Sequence, residues 1–414
     1  MSVQIIVHRG AYQIGGCITE IRTERSKVIV DLGQNFPYHG IPPEEVDKTR
    51  VNDLFNTEPR RYMAVVVTHA HLDHTGLLPY VPDGIPIYMS KGTKRGLPPW
   101  LKITGLHLWT NPSQEMLGRT FWIGDIGITP ILTSHSVFDS AMLLITAGDK
   151  RILHTGDYRL HGLLQNHLCS FLYKQVLPID VLLTEGTMLG STEREPYEAD
   201  LVPLMADYFR KHRSVFVLCS AADAERLATI NQAAHMVGKR MLVSSERLAK
   251  TLRYYRRVVS GRAESEILNY DFIYKEGCMP RQKRDNFVYP VLPEQYTAVR
   301  DFLANTDKSN FGFIFASWPQ NYLNELNRKL MPQFAAMREL FDNAVDIHTT
   351  GHALPEHVAQ LIEAVQPRDA IVCLHSDTPQ EILNLELPEH LAMRIVPFSK
   401  FVDWITIEED NNIL

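Results

Sequence analysis

The sequence predicts a layered α/β protein built on mixed sheets, with a second α/β segment inserted into it. Three observations carry that expectation. Residues 1–195 are dominated by short β-branched and apolar runs separated by polar turns. From about residue 196 strands alternate with helices, and at about 345 the texture changes again. The parse is therefore an opening part at 1–195, an insert at 196–344 and a closing part at 345–414.

In order along the chain, VQIIV, CITEIR, KVIVDLG, AVVVTHA, IPIYM, ITPIL, AMLLITA, RILHTGD and VLLTEG read as strands, with few long amphipathic helices between them. YEADLVPLMADYFRKH has apolar residues at helical spacing, SVFVLCS reads as a buried strand, AERLATINQAAHMVG as a helix and RMLVSS as a strand. That alternation implies a parallel sheet with crossover helices. DIHTTGH, a helix over HVAQLIEAVQ and the strand AIVCLHS close the chain, with no internal repeat or low-complexity tract.

The chain has 414 residues, enough for two domains. Its 45% hydrophobic and 22% charged residues are ordinary for a globular protein. A net charge of −6 argues against coating nucleic acid by bulk electrostatics, though it allows a local basic groove. Cys17, Cys169, Cys219, Cys278 and Cys373 are scattered and form no CxxC pair, which suits a reducing compartment without disulfides or a thiolate zinc site. MSVQIIVHRG lacks the features of a signal peptide, and no apolar run approaches membrane-spanning length. The expectation is a cytoplasmic protein with no membrane contact.

The chemistry concentrates at residues 65–76, VVVTHAHLDHTG. His69 and His71 lie two apart at the mouth of a strand and project to one side. Asp73 and His74 follow where TGLLPYV is expected to begin a helix, so the turning chain aims them elsewhere. One pair then serves one metal ion and the other pair a neighbour. His135 in ILTSHSVFDS, Asp157 in RILHTGDYR and His375 in AIVCLHSD each follow an apolar strand and extend the donor set. Asp31 in KVIVDLG suits holding an imidazole by its other nitrogen.

Together these residues resemble the metallo-β-lactamase superfamily, whose signature is HxHxDH, and the insert narrows the resemblance to its β-CASP branch. That branch includes RNase J and the 3′-end pre-mRNA cleavage endonuclease. The resemblance implies a metallo-β-lactamase αββα sandwich with an inserted α/β β-CASP domain. It implies one metal held by His69, His71 and His135, a second by Asp73, His74 and His375, and Asp157 bridging. The ions implied are two divalent metals, Zn2+ foremost and Mn2+ as the alternative. Glu185 in LLTEGTMLG and His352 in HTTGHALPEH match the first two β-CASP motifs and His375 the third. Histidine in that third place points to RNA, where Artemis-type DNA nucleases usually carry valine.

The residues themselves support that reading of His352. It precedes an expected helix whose free amides favour a phosphate, and Gly351 lets the backbone approach closely. His352 could then protonate a departing oxygen, with Glu185 tuning it and Asp73 orienting the attacking water. RNase J proteins bind a 5′-phosphate at a Ser-rich stretch. Its counterpart here is CSAADAER, which keeps Ser220 and Arg226 but has alanines nearby.

A basic stretch, KRMLVSSERLAKTLRYYRRVVSGR, interleaves Tyr254 and Tyr255 with arginines and suits either a strand-tracking surface or a solvated helix face. The leading expectation is a two-metal ribonuclease acting on single-stranded RNA, exonucleolytic, endonucleolytic or both. A homodimer is what the resemblance implies. The alternatives are a β-CASP DNA nuclease, a hydrolase of a small ester, thioester or cyclic nucleotide, and a non-catalytic scaffold.

Overall fold

Strand Ala141–Ala147 shows how the first sheets are built. Nearly all its residues are buried, and alternation sends Leu143 and Ile145 to one face and Met142 and Leu144 to the other. A strand buried on both faces needs a layer on each side. The computed structural model describes residues 2–35, 45–109, 117–164, 168–192, 194–260, 265–280, 286–396 and 404–407, and it supplies both layers.

One compact unit comprises Met1–Leu160, Gln165–Glu193 and Gly351–Leu414. Its seven-stranded sheet runs Trp404–Ile407, Val3–Arg9, Ile18–Arg22, Ser26–Val30, Tyr62–Val66, Ile87–Ser90 and Leu106–Trp109. Its six-stranded sheet runs Ala370–Leu374, Val181–Glu185, Lys150–His154, Ala141–Ala147, Ile126–Leu132 and Phe121–Ile123. Ile5, Val28, Val66, Ile128, Ile145 and Val372 join the two sheets in one core. On the outer side of the six-stranded sheet, Leu144 and Ile371 pack against helices Leu168–Gln175 and Pro355–Val365. On the outer side of the other, Lys27 Nζ donates to the Leu54 and Thr57 carbonyls, at 2.8 and 2.9 Å, tying down helix Glu45–Asn56. The result is the αββα sandwich. Burying each Leu or Ile side chain contributes roughly 1.5–3 kcal/mol, so these cores fix where the strands end.

Strand direction then decides where the loops converge. Ala370–Leu374, Val181–Glu185 and Lys150–His154 are parallel, with Glu185 opposite Leu374 and His154 opposite Leu183. Ile126–Leu132 lies two antiparallel steps away and therefore points the same way. Ser26–Val30 and Tyr62–Val66 are parallel neighbours in the other sheet. Residues just past these C-terminal ends share one edge of each sheet.

The other unit comprises His161–Leu164 and Arg194–Thr350. Its sheet, Phe272–Tyr274, Arg240–Val243, Phe287–Val291, Ser214–Leu218, Phe311–Phe315 and Val345–Asp346, is parallel throughout. Phe216, Tyr289, Phe313 and Phe315 fill its core. The 196–344 span read from periodicity differs from this unit, which also takes in residues 161–164. The reason is hydrogen bonding that periodicity does not register: Glu198 N–H donates to the His161 carbonyl at 2.8 Å, and Leu163 N–H to Glu225.

Two local expectations are corrected. The helix expected from Thr75 instead spans Leu72–Thr75, so Asp73 and His74 lie within it. Helix Glu45–Asn56 went unread because it carries few apolar residues, among them the buried Val51, Leu54 and Phe55. Among the described residues, no helix is long and apolar enough to cross a membrane.

Candidate metal centre

Thr68, just past strand Tyr62–Val66, donates from its amide and hydroxyl to Asp31 Oδ1 and Oδ2, at 2.8 and 2.7 Å. Because that hydroxyl gives its proton to Asp31, it accepts at 3.0 Å from Nδ1–H of His69. Asp31, held at φ +61, also accepts from His74 Nδ1 at 2.7 Å. His135 Nδ1 donates to the Gly351 carbonyl at 2.6 Å. The Thr187 hydroxyl donates to the His375 carbonyl and accepts from His375 Nδ1, at 3.2 and 2.7 Å. In all four imidazoles an outer partner fixes the tautomer and leaves Nε2 as the lone-pair nitrogen.

Those nitrogens converge on Asp157 Oδ2. It lies 3.6 Å from His69 Nε2, 3.3 Å from His74, 3.7 Å from His135 and 3.8 Å from His375. His71 Nδ1 comes within 3.1 Å of His135 Nε2. Asp73 Oδ2 lies 3.3 Å from His375 Nε2 and 3.9 Å from His74 Nε2. The turn bearing Asp73 and His74 is clamped, since Leu32 N–H donates to the His74 carbonyl at 2.9 Å. Only glycine fits beside it, because a Cβ on Gly33 would stand 1.6 Å from the Asp73 carbonyl oxygen.

His69, His71, His135 and Asp157 each offer a ligand atom within 4.8 Å of the others. His69 Nε2, His74 Nε2 and both Asp157 carboxylate oxygens are buried without a hydrogen-bond partner. Orphaned acceptors at this depth are costly unless a cation takes their lone pairs. The nitrogen and oxygen donor set suits a divalent transition-metal ion, and a further group of possible ligands, Asp157, Glu185, His352 and His375, shares Asp157 with the first.

The electrostatics agree. Burial lowers His69 and His135 well below the ordinary histidine value and takes His71 to about 4, keeping these imidazoles neutral. Burial would also lower His74, but the negative charge of Asp157, Cys17, Asp31 and Asp73 pushes it well up, a field that a bound cation would answer. Burial raises the carboxyls of Asp73 and Asp157, yet the surrounding imidazoles, His74 and His375 foremost, hold both well below the usual range.

Glu185 and His352 border the same cluster. His352 Nδ1 lies 3.1 Å from Glu185 Oε2 and 3.8 Å from Asp157 Oδ2. Burial lowers His352, but Glu185 outweighs it and takes the imidazole up to about 9. The helix expected to offer free amides begins at Pro355. The Ala353 and Leu354 amides already donate to Glu185 Oε1 and His357 Nδ1, at 3.1 and 3.4 Å, which corrects the picture of an open helix terminus there. A phosphate contact would fall to the His352 ring instead. Gly351 is tightly placed, since a Cβ would meet Ser136 Oγ at 2.5 Å.

In the other unit Ser220 is exposed, its hydroxyl accepting from Ala222 N–H at 3.1 Å. Arg226 is corrected from a substrate contact. It is 1% exposed and forms a fork with Glu198, Nε to Oε1 at 2.7 Å and Nη2 to Oε2 at 3.0 Å. Of the basic stretch, Lys239 is buried against the His212 and Arg213 carbonyls and Tyr255 against the Ala221 carbonyl, whereas Arg256 and Arg257 are exposed. Arg262 lies outside the described residues. Sequence reasoning missed Thr68, Thr187 and Cys17; the last, read as no part of a metal site, stands with His74 and His375 in a second group of ligand atoms within 4.8 Å of one another.

Residues 48–234 match the family model described as the Beta-lactamase superfamily domain. Ribonuclease J of Pyrococcus abyssi (strain GE5 / Orsay) is 22% identical over 411 residues, covering 91% of this chain and 90% of that protein. Residues 48–234 thus resemble a Beta-lactamase superfamily domain, and most of the chain is similar to Ribonuclease J. Ribonuclease J of Helicobacter pylori (strain ATCC 700392 / 26695) is 24% identical over 225 residues, and this RNase J-like chain covers 51% of its own length and only 31% of that relative. A crystal structure of a protein of unknown function from Enterococcus faecalis V583 superposes with a TM-score of 0.73 at 18% identity, covering 98% of this chain and all of that one, a likeness of fold alone.

Proposed function

We propose that this chain is a two-metal ribonuclease that hydrolyses phosphodiester bonds in single-stranded RNA. The observation that carries the proposal is the convergence of four outward-anchored imidazoles on Asp157, beside a Glu185–His352 pair. His69, His71, His135 and Asp157 would hold one ion, and Asp73, His74, His375 and Asp157 the other. Bound divalent ions supply Lewis acidity and charge neutralisation to a phosphoryl group. Zinc matches the imidazole-rich set, with manganese as the alternative.

The chain's own groups then divide the work. Asp73, held by the clamped turn, orients the attacking water as well as ligating. His352 carries a proton that Glu185 stabilises, and delivers it to the departing oxygen. The similarity to Ribonuclease J proteins supports RNA as the substrate.

The test uses end-labelled RNA bearing a 5′-monophosphate, 5′-triphosphate or 5′-hydroxyl, alongside matched DNA, with zinc or manganese added. RNA is expected to be cleaved, and product sizes report exonucleolytic or endonucleolytic action. His352→Ala should slow cleavage by roughly 10²–10⁴-fold with metal content unchanged. Cleavage of DNA in preference to RNA, or turnover of thioesters with RNA left intact, would overturn the assignment.

A further inference from the structure

Cys17 is a buried group that the two-ion reading leaves without a role. Its Sγ and one nitrogen each of His74 and His375 lie within 4.8 Å of one another, and all three residues line one small recess that Gly10, His154 and Asp157 also border. The backbone holds the thiol there. Cys17 N–H donates to the Asp73 carbonyl at 2.9 Å, and Gly33 N–H donates to the Cys17 carbonyl at 3.0 Å. Cys17 is thus tied to the turn that carries Asp73 and His74. Gly10 ties it to His375, since the Gly10 carbonyl accepts from His375 N–H at 2.6 Å. Gly10 also keeps room for the thiol, because a Cβ there would stand 3.2 Å from Cys17 Sγ.

A second observation is independent of the thiol. His74 Nε2 is buried with no hydrogen-bond partner, and His74 lines the same recess. Cys219 and Cys373 are equally buried, yet neither joins a group of potential metal ligands among the described residues. Burial alone therefore does not account for where Cys17 lies.

We infer that Cys17 supplies a thiolate donor to the ion held by His74 and His375, making that position selective for thiophilic ions such as zinc over manganese or magnesium. The inference rests on the two-ion reading for the presence of an ion there. Zinc takes cysteine sulfur at about 2.3 Å and histidine nitrogen at about 2.0–2.1 Å, so at tetrahedral angles a sulfur and a nitrogen sharing one ion stand about 3.6 Å apart. The three donors lie within 4.8 Å of one another and would close on a bound ion by up to roughly an ångström. The S–H bond breaks, a sulfur–metal bond forms, and the proton leaves to solvent. Manganese and magnesium prefer oxygen donors and gain less from the sulfur.

The experiment reads the metal and not RNA turnover. The full chain is loaded with Co2+, and its near-ultraviolet sulfur-to-cobalt charge-transfer absorption is compared with that of Cys17→Ser. The band is expected in the parent chain and absent from the variant, whose zinc affinity at one position should fall at least about ten-fold. Zinc-edge X-ray absorption on the unaltered chain needs no variant, and a sulfur neighbour at about 2.3 Å is expected. Two bound ions with only nitrogen and oxygen neighbours would overturn the role of Cys17 and leave the two-ion centre standing. A chain that binds no ion would overturn both.

Discussion

Each compact unit buries a charged cluster, and the two clusters are satisfied in opposite ways. In the first, His69, His74 and Asp157 keep polar atoms that no protein group satisfies. In the second, the Arg226 guanidinium is matched: Glu198 takes two of its N–H groups, and the Ala316 and Thr349 carbonyls accept at 2.8 and 3.2 Å. Thr229 donates to the same Glu198 carboxylate at 2.8 Å. A matched network accounts for itself as architecture. The unmatched one calls for a positive ion from outside the chain. An arginine and a histidine cluster that look equally functional in the sequence are thereby separated.

The largest test of that contrast is Arg226→Met, which leaves Glu198 buried and uncompensated. It should lower unfolding free energy by about 3–5 kcal/mol in denaturant titration, with metal content unchanged. A loss under about 1 kcal/mol would remove the architectural role. Next, metal at a hundred times its dissociation constant should stabilise the chain by about 2.7 kcal/mol. His69→Leu should abolish most of that gain and cost the metal-free chain no more than about 1 kcal/mol, because the orphaned Nε2 leaves together with the hydrogen bond from Nδ1 to Thr68. A metal-free variant destabilised beyond that would show that the cage is complete without an ion. Asp31→Asn acts one shell out, on His74 and Thr68, and should weaken metal binding by roughly 10–100-fold in competition with a chelator.

The smallest effect is on pH dependence. Burial takes His154 from 6.5 to about 4, so the unfolded chain binds its proton first as pH falls. Unfolding free energy of the metal-free chain should therefore drop between pH 6.5 and 4, by about 1 kcal/mol per pH unit from this residue. His154→Phe should flatten that slope in denaturant titrations at pH 7 and 5. An unaltered slope would mean that His154 is not held neutral in the folded chain.

Much of this was legible in the chain itself. The spacing in THAHLDHTG and the strand-then-donor pattern at His135, Asp157 and His375, with Glu185 added by the family resemblance, named residues that the structure brings together, since strand ends point where sheet direction sends them. Arg226 was misread because a basic side chain at a helix start has the same spacing whether it faces solvent or a buried Glu198. Cys17 was invisible because no spacing rule links QIGGC to a histidine beyond residue 370.

By itself the sequence determined which segments alternate, which residue types end the strands and hence which chemistry is available. Only the tertiary structure decided which buried groups answer one another and which stay open. Periodicity is a property of neighbours along the chain, whereas partnership between Asp31 and His74, Cys17 and His375, or Glu198 and Arg226 depends on how separate stretches pack and hydrogen-bond.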